Sequence, residues 1–200
     1  MSVRRAGVFG GSFDPPHRAH LALARSALEH LALDEVRWLP AGLQWQKTRR
    51  PSPAHDRRAM VALAIEGEPR FVLDDRELAR SGPSYTVDTL RELHAGPPAD
   101  WFLLLGQDQY ANLHTWHEWP ALLQLATLAV ASRDGVVPAP AAPLAAVPHR
   151  MVVLPMPRMD VSATAVRRRA AAGADVGDMV PAAVARYIDR HRLYRGPPGS

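Results

Sequence analysis

The sequence predicts an α/β fold, a doubly wound parallel sheet built as one domain over residues 1–195. Two observations predict it. Short apolar runs of strand length alternate with helical segments, and right-handed crossovers between parallel strands place such helices on both faces of a sheet. With 47% hydrophobic residues among 200, the chain can bury one full core. Residues 196–200, Gly-Pro-Pro-Gly-Ser, are predicted to be a disordered end.

Six strands and six helices are predicted in alternation from the apolar periodicity. The predicted strands are Arg4–Phe9, Glu35–Leu39, Arg70–Leu73, Trp101–Leu105, Thr127–Ala131 and Met151–Leu154. The predicted helices are Arg18–Leu31, Ala54–Ile65, Tyr85–His94, Trp119–Leu123, Ala163–Ala172 and Pro181–Arg190. The stretch Val136–Pro148 is too rich in proline for a helix or a central strand, so it is predicted to be a surface connection.

The segment after the first predicted strand has the features of a phosphate site. Gly10 and Gly11 allow a sharp turn that exposes backbone N–H groups, and the next helix, starting near Pro16, offers free N–H groups at its positive end. His17 and His20 are three residues apart, so both imidazoles are expected on one face, toward the bound anion. Two such imidazoles can donate hydrogen bonds to phosphoryl oxygens as charge develops during transfer.

Other glycine and histidine patterns are disfavoured at this segment. The chain has no Gly-x-x-x-x-Gly-Lys-Ser/Thr, and no Gly-x-Gly-x-x-Gly follows the first strand. A zinc half-site at the two histidines is disfavoured because the chain contains no cysteine and the Asp-Pro-Pro turn is unlike a metal-binding helix. Surface histidines without a function are the remaining alternative.

Two further segments are expected beside the first, because ligands bind at the carboxyl ends of the strands in such a sheet. Gly106 and Asp108 follow the fourth predicted strand directly, where the carboxylate is either a ribose ligand or an ordinary helix N-cap. Ser162 is predicted to cap a helix that carries Arg167 a little over one turn later, which forms either a second anion site or a capped surface helix. Arg133 follows the fifth strand and either contacts phosphate or pairs with its neighbour Asp134.

The run Gly-Gly-Ser-Phe-Asp-Pro-Pro-His-Arg-Ala-His, residues 10–20, resembles the signature of the nucleotidyltransferase superfamily. It departs from that signature at Ala19, where the superfamily usually has glycine. Gly106-Gln107-Asp108 and Ser162-Ala163-Thr164-Ala165-Val166-Arg167 are similar to the ribose and triphosphate elements of the same superfamily. The resemblance implies a Rossmann-like nucleotidyltransferase fold and an ATP site made of Gly10, Gly11, Ser12, Phe13, His20, Gly106, Asp108, Arg133, Ser162, Thr164 and Arg167.

Two more segments narrow the resemblance. Residues 84–90, Ser-Tyr-Thr-Val-Asp-Thr-Leu, and residues 115–119, Thr-Trp-His-Glu-Trp, resemble segments of the bacterial nicotinate-nucleotide adenylyltransferases. The resemblance implies ATP and nicotinate mononucleotide as substrates, with nicotinate adenine dinucleotide and pyrophosphate as products. It implies a nicotinate mononucleotide site made of Ser12, Lys47, Tyr85, Thr86, Trp116 and His117.

The resemblance also implies catalytic roles, for His17, His20, Lys47 and Arg167. His20 would stabilise the α-phosphoryl group and His17 the leaving side, while Lys47, Ser162 and Arg167 would hold the triphosphate. Mg²⁺ is expected as a cofactor bound mainly through the ATP phosphates, with no protein ligand, because Mg²⁺ keeps several waters and takes substrate phosphates.

Trp116 is expected on an exposed loop, where polar residues flank it and its ring could stack on a pyridinium ring. Trp119 is expected to be a core aromatic residue. Lys47 ends a Pro-rich segment after the second strand, where many members of the family have Pro-Pro-His-Lys and this chain has Trp45-Gln46-Lys47.

Several functional alternatives remain open at this point. Within the superfamily they are a nicotinamide-nucleotide or a pantetheine-phosphate adenylyltransferase, and outside catalysis a nucleotide-binding sensor. The net charge of +4 favours anionic ligands, but the arginines are scattered over several helices, so no nucleic-acid partner is expected. The chain has no cysteine, no membrane-length apolar run and no signal-peptide core, so a cytoplasmic monomer or homodimer without a membrane partner is expected.

Overall fold

A computed structural model describes residues 3–42, 51–133 and 136–195. These residues form a sheet of six parallel strands, and the helices between them cover its faces. The strands are β1 (Arg4–Gly11), β2 (Glu35–Pro40), β3 (Phe71–Leu73), β4 (Ala99–Leu105), β5 (Thr127–Arg133) and β6 (Met151–Met156). The helices are α1 (Arg18–His30), α2 (Ala54–Ile65), α3 (Arg76–Ala79), α4 (Thr86–His94), α5 (Gln107–Ala111), α6 (Trp119–Leu125), α7 (Ala142–Ala145), α8 (Ala163–Ala171) and α9 (Ala182–Arg190).

The strand order across the sheet is β3-β2-β1-β4-β5-β6, with every pair parallel. The chain builds outward from β1 to β2 and β3, then returns to place β4 on the other side of β1. Strand order therefore reverses between β1 and β4. At such a point the connections leave the carboxyl ends in opposite directions and open a crevice for a ligand.

The structure confirms the predicted doubly wound parallel sheet, and all six predicted strands and helices are present within a few residues. Three short helices, α3, α5 and α7, were missed because four or five residues are too few to show a helical period. The prediction of a non-helical connection over Val136–Pro148 was wrong at α7. Pro143 lies in the first turn of α7, where its missing N–H costs no hydrogen bond, and Leu144 is fully buried.

Hydrophobic packing on both faces of the sheet fixes the position of the crevice. One face packs α1 against β1 and β2 through Phe9 and Leu28, and the other packs α4 and α6 through Leu90 and Leu122. A third cluster joins helices from distant parts of the chain, with Met60 of α2, Val166 of α8 and both Val184 and Ile188 of α9. This third cluster brings the C-terminal helices beside the turn that follows β1. Within the three described ranges, no helix is long and apolar enough to cross a bilayer.

Candidate active site

The turn after β1 begins later than the sequence indicated. Gly10 and Gly11 belong to the strand, where Gly11 pairs with Pro40 and its carbonyl accepts the Ala41 N–H at 2.8 Å. The chain turns at residues 12–16, with Phe13 in the left-handed region at φ 45°. A Cβ at position 11 would lie 3.1 Å from the Phe13 ring, so a larger residue there would require the ring to shift. The prediction that the two glycines make the turn was wrong, because both belong to β1. The space beside Gly10 is empty, with no atom of the described residues within 4 Å of a Cβ placed there.

The two histidines stack at the start of α1. His17 is the N-cap residue and His20 is the third helical residue, and their ring centroids lie 3.6 Å apart with the planes 22° from parallel. The His17 backbone N–H donates to Nδ1 of His20 at 3.0 Å. A ring nitrogen that accepts carries no hydrogen, so in neutral His20 the hydrogen is on Nε2. His20 can therefore donate a hydrogen bond from Nε2 to a ligand.

Burial keeps both histidines neutral near pH 7. Burial lowers the pKa of His17 from 6.5 to about 4. Burial, and then repulsion from His17, lower the pKa of His20 well below 6.5. Nδ1 of His17 is buried without a hydrogen-bond partner among the described residues. A buried polar atom without a partner in the protein is a place where a ligand atom can bind.

A cavity of about 530 Å³ opens beside these histidines at the carboxyl ends of the central strands. Ala19, the residue that departs from the superfamily signature, also lines it. Most of the predicted ATP-site residues line this cavity, along with His17: Gly10, Gly11, Ser12, Phe13, His20, Gly106, Asp108, Ser162, Thr164 and Arg167. Arg133 is the last residue of β5, and only its backbone is described. Lys47 lies outside the described residues.

The first turn of α8 forms the far wall of the cavity. Ser162 is its N-cap, and the Ser162 hydroxyl accepts the Ala165 N–H at 3.2 Å, which confirms the predicted cap. Arg167 donates to the Asp14 carbonyl at 2.8 Å and to the Thr164 hydroxyl at 3.0 Å. The two segments predicted to bind anions are thus joined by a direct hydrogen bond across 153 residues of sequence.

The segment after β4 forms another part of the wall. Gly106 is the N-cap of α5, and its N–H donates to the Gln109 side chain at 2.9 Å. Asp108 lies inside the first turn of this helix, so the alternative that Asp108 is the N-cap was wrong. Both Gly106 and Asp108 line the cavity, as expected from their position at a strand end.

The residues near α4 and α6 that were predicted to bind the second substrate lie outside the lining of this cavity, although Ser12, predicted for the same substrate, lines it. Tyr85 is the N-cap of α4 and Thr86 is its first residue. The Tyr85 ring stacks on His117 with centroids 4.1 Å apart. Trp116 is half-buried and packs against the apolar cluster under α4 and α6, as Trp119 does. Trp116 was expected on an exposed loop, and its ring is less exposed than expected because it packs on this cluster despite its polar neighbours.

Sequence reasoning missed two residues behind the phosphate turn. Arg57 of α2 is only 3% exposed, and it donates to the carbonyls of Ser12 at 3.1 Å and Ala41 at 2.6 Å. Burial lowers the pKa of Arg57 and the nearby Asp14 raises it. Tyr194, beyond α9, donates its hydroxyl to the Asp14 carboxylate at 2.8 Å. A local sequence pattern does not predict these contacts, because each joins residues far apart in sequence.

Residues 8–169 match the family model described as Cytidylyltransferase-like, which is the class of nucleotide-transferring enzymes that this fold and cavity define. A relative from Methylibium petroleiphilum is 57% identical over 98% of this chain and 95% of its own length. Another, from Albidiferax ferrireducens, is 52% identical over 96% of this chain and 99% of its own length. Both are named "Probable nicotinate-nucleotide adenylyltransferase". The chain belongs to the nicotinate-nucleotide adenylyltransferase family, as its motifs predicted.

Solved structures confirm the fold. The Plasmodium falciparum nicotinic acid mononucleotide adenylyltransferase complexed with NaAD superposes with a TM-score of 0.75 at 20% identity, covering 96% of this chain and 97% of that chain. The same Plasmodium falciparum enzyme complexed with APC gives a TM-score of 0.74 at 19% identity, with the same coverage. The predicted Rossmann-like α/β fold is therefore correct.

Proposed function

We propose that the protein transfers the adenylyl group of ATP to nicotinate mononucleotide, giving nicotinate adenine dinucleotide and pyrophosphate in NAD biosynthesis. The observation that carries the proposal is the convergence of the histidine pair and the start of α8 on one cavity, in a chain similar over its full length to proteins of that name. Both anion-binding segments face the same volume. This is what an enzyme needs when it holds a triphosphate in one orientation for attack.

The chemistry requires no nucleophile from the protein. A phosphate oxygen of nicotinate mononucleotide attacks the α-phosphorus of ATP, a new P–O bond forms, and the bond to the β-phosphate oxygen breaks to release pyrophosphate. Catalysis then consists of positioning and of stabilising the developing negative charge. Neutral His20, with its hydrogen on Nε2, is suited to donate to an α-phosphoryl oxygen and does so more strongly as charge increases.

The other residues around the cavity are proposed to bind different parts of ATP. Arg167 and the free N–H groups at the start of α8 are suited to bind the β- and γ-phosphates, with His17 on the leaving side. The Asp108 carboxylate and the Gly106 backbone are suited to bind the ribose hydroxyls. Ser12, Gly11 and the neighbouring backbone of Gly10 and Phe13 line the remaining wall. Arg133 and Lys47 are proposed to add positive charge to the phosphates.

Nicotinate recognition is proposed for the group formed by Tyr85, Thr86, Trp116 and His117, together with Ser12 and Lys47. The N–H groups around Thr86, at the first turn of α4, favour a carboxylate. The half-buried ring of Trp116 is suited to stack on the electron-poor pyridinium ring, a contact of about 0.5–2 kcal/mol. The carboxylate of the nicotinate ring, bound at the first turn of α4, is the feature that distinguishes the acid nucleotide from the amide nucleotide.

Mg²⁺ is proposed as the cofactor, carried by the nucleotide. Within residues 3–42, 51–133 and 136–195 no group of three or more histidine, aspartate or glutamate side chains is arranged to hold a metal ion. In the described part of the chain, two carboxylates line the cavity, those of Asp14 and Asp108, and Mg²⁺ usually keeps several waters and binds through substrate phosphates. When bound, the ion would neutralise charge on the triphosphate.

The proposed partners are the two small-molecule substrates, and ATP as a substrate supports the cytoplasm as the compartment. The active enzyme is proposed to be a monomer or a homodimer, and sedimentation analysis would distinguish the two.

A nicotinamide-nucleotide activity is the second candidate function, because the two acceptor nucleotides differ only in a carboxylate that is replaced by an amide.

The experiment that tests the proposal measures pyrophosphate release from ATP and Mg²⁺ with one acceptor at a time. The acceptors are nicotinate mononucleotide, nicotinamide mononucleotide and phosphopantetheine, and a reaction without acceptor is the control. We expect fast release only with the acid nucleotide, accompanied by nicotinate adenine dinucleotide as the product. Faster release with either other acceptor would overturn the substrate assignment, and no release with any acceptor would overturn the enzymatic one.

A further inference from the structure

The segment that follows α9, residues 191–195, returns to the turn at residues 12–16. This segment forms a tight turn in which Arg192 and Tyr194 have φ values of 49° and 68°. Side chains disfavour this left-handed region, so such a conformation persists only where surrounding contacts hold it. Here Leu193 and Tyr194 pack against the cluster that contains Met60 and Ile188. The segment is therefore a built part of the fold, fixed by tertiary packing.

The contact it makes is with a buried carboxylate. Asp14 is 2% exposed, and its Oδ1 accepts the Tyr194 hydroxyl at 2.8 Å while its Oδ2 accepts the Ser52 N–H at 3.2 Å. Burial and then the Asp14 charge raise the pKa of Tyr194 above 10, so the phenol stays protonated and donates. Burial lowers the pKa of the Arg57 guanidinium, and the charge of the nearby Asp14 opposes that shift. A buried carboxylate is costly without such donors.

Asp14 lies in the turn that leads into His17. Its backbone carbonyl accepts a hydrogen bond from Arg167, and the Ser12 carbonyl two residues earlier accepts one from Arg57. Arginines thus hold two of the carbonyls of the turn, and the Asp14 carboxylate accepts from Tyr194 and from the Ser52 N–H. Ser12, Phe13 and Asp14 also line the cavity.

We propose that Tyr194 is a positioning residue for the reaction: by holding the Asp14 carboxylate, the C-terminal segment sets the turn that presents the phosphate-binding backbone and the two histidines. The proposal rests on the proposed function and deepens it. It makes the last described turn of the chain part of the support of the active site. Tyr194 acts through Asp14 and is not itself a catalytic residue.

The chain supplies a matched control in Tyr187. Its hydroxyl donates to the buried carboxylate of Asp56 at 2.9 Å, and Asp56 is 5% exposed. Both phenols therefore join the C-terminal region to a buried aspartate, but Tyr187 joins α9 to α2 and is outside the lining of the cavity. Tyr194→Phe and Tyr187→Phe each remove one hydroxyl and one such hydrogen bond. A purely structural role predicts similar effects for the two.

We expect the two variants to lose similar thermal stability and to differ in turnover. Tyr194→Phe should lower kcat with ATP and nicotinate mononucleotide about tenfold, the order expected for one hydrogen bond to a charged group, and should leave the KM of nicotinate mononucleotide unchanged. Tyr187→Phe should stay within about twofold of the unmodified protein in kcat. Hydrogen exchange measured by mass spectrometry should be faster over residues 10–21 in Tyr194→Phe alone.

Equal kcat values for the two variants would overturn the proposal, whatever their melting temperatures. Faster exchange over residues 10–21 with an unchanged kcat would overturn it as well, because the turn would then not need the clamp for turnover. If the unmodified protein shows no adenylyl transfer, the proposed function fails. The exchange comparison still tests the clamp in that case, since equal exchange in both variants would overturn it without any activity measurement.

Discussion

The phosphate half and the pyridine half of the candidate site are built in different ways. Around the phosphates, His17 is buried, His20 has a fixed hydrogen-bond donor, and the turn between β1 and α1 is held from behind by buried side chains. Around the pyridine ring, Tyr85 and Trp116 are half-buried and His117 is exposed, and they lie outside the lining of the cavity. If the proposed roles hold, phosphate chemistry depends on backbone and core packing, while acceptor choice depends on side chains near the surface.

The largest expected effect lies in the phosphate half, at His20. His20→Ala should lower kcat about 10²- to 10³-fold and leave both KM values within about threefold, because the lost donor acts mainly on developing charge. His20→Asn sharpens the test, because its amide oxygen can still accept the His17 N–H. The steady-state kinetics of both variants provide the measurement.

The matched control for this prediction is His30→Ala, at the exposed far end of α1, which should change kcat less than about twofold. A His20→Asn variant with full turnover would show that the Nε2 donor is not used. The phosphate half would then depend on backbone groups alone.

The next effect concerns Arg167, which joins the two walls of the phosphate half. Arg167→Lys keeps the charge but loses the planar fork, so kcat/KM for ATP should fall about 10- to 100-fold. Arg168→Lys is the neighbouring exposed control and should stay within about twofold. Titration of ATP against each variant and measurement of initial rates decide between them. Equal rates for the two variants would remove Arg167 from the phosphate site.

The third effect tests the pyridine half. Trp116→Leu should raise the KM of nicotinate mononucleotide about 3- to 30-fold and leave the KM of ATP unchanged, because only the stacking contact is lost. Trp119→Leu is the control, since Trp119 packs on the same apolar cluster and should cost comparable stability. A rise in the nicotinate mononucleotide KM in Trp119→Leu alone would move the pyridine contact to that ring.

The smallest change in turnover is expected from pH. Both histidines have lowered pKa values, so they stay neutral from pH 8 to about 6.5 and their protonation should not alter kcat there. Stability behaves differently at lower pH. Between 6.5 and about 4 the unfolded chain binds a proton that folded His17 does not, so the free energy of unfolding should fall as pH falls through this range.

The full difference in pKa corresponds to about 3 kcal/mol for His17, and urea unfolding at pH 7, 6, 5 and 4 measures it. His17→Asn should show a shallower dependence than the unmodified protein. Identical slopes would mean that His17 is not kept neutral by burial.

The candidate site was predictable where its signals are local. The Ser162 cap, the His17–His20 pair and the glycine at position 106 each depend on hydrogen bonds or spacing within a few residues, which sequence pattern encodes. The turn was placed too early because strand pairing with Pro40 extends β1 through Gly11. Arg57 and Tyr194 could not be found in this way, since their partners lie 45 and 180 residues away.

The sequence by itself determined the succession of strands and helices along the chain, the parallel sheet and the motif that contains the turn after β1, because periodicity and turn chemistry act over short distances along the chain. Tertiary structure alone decided which distant groups meet, such as Arg167 with the Asp14 carbonyl, and which tautomer and charge the histidines adopt. It also decided that Trp116 rests on the core. These outcomes depend on desolvation and on contacts across the fold, and packing determines both.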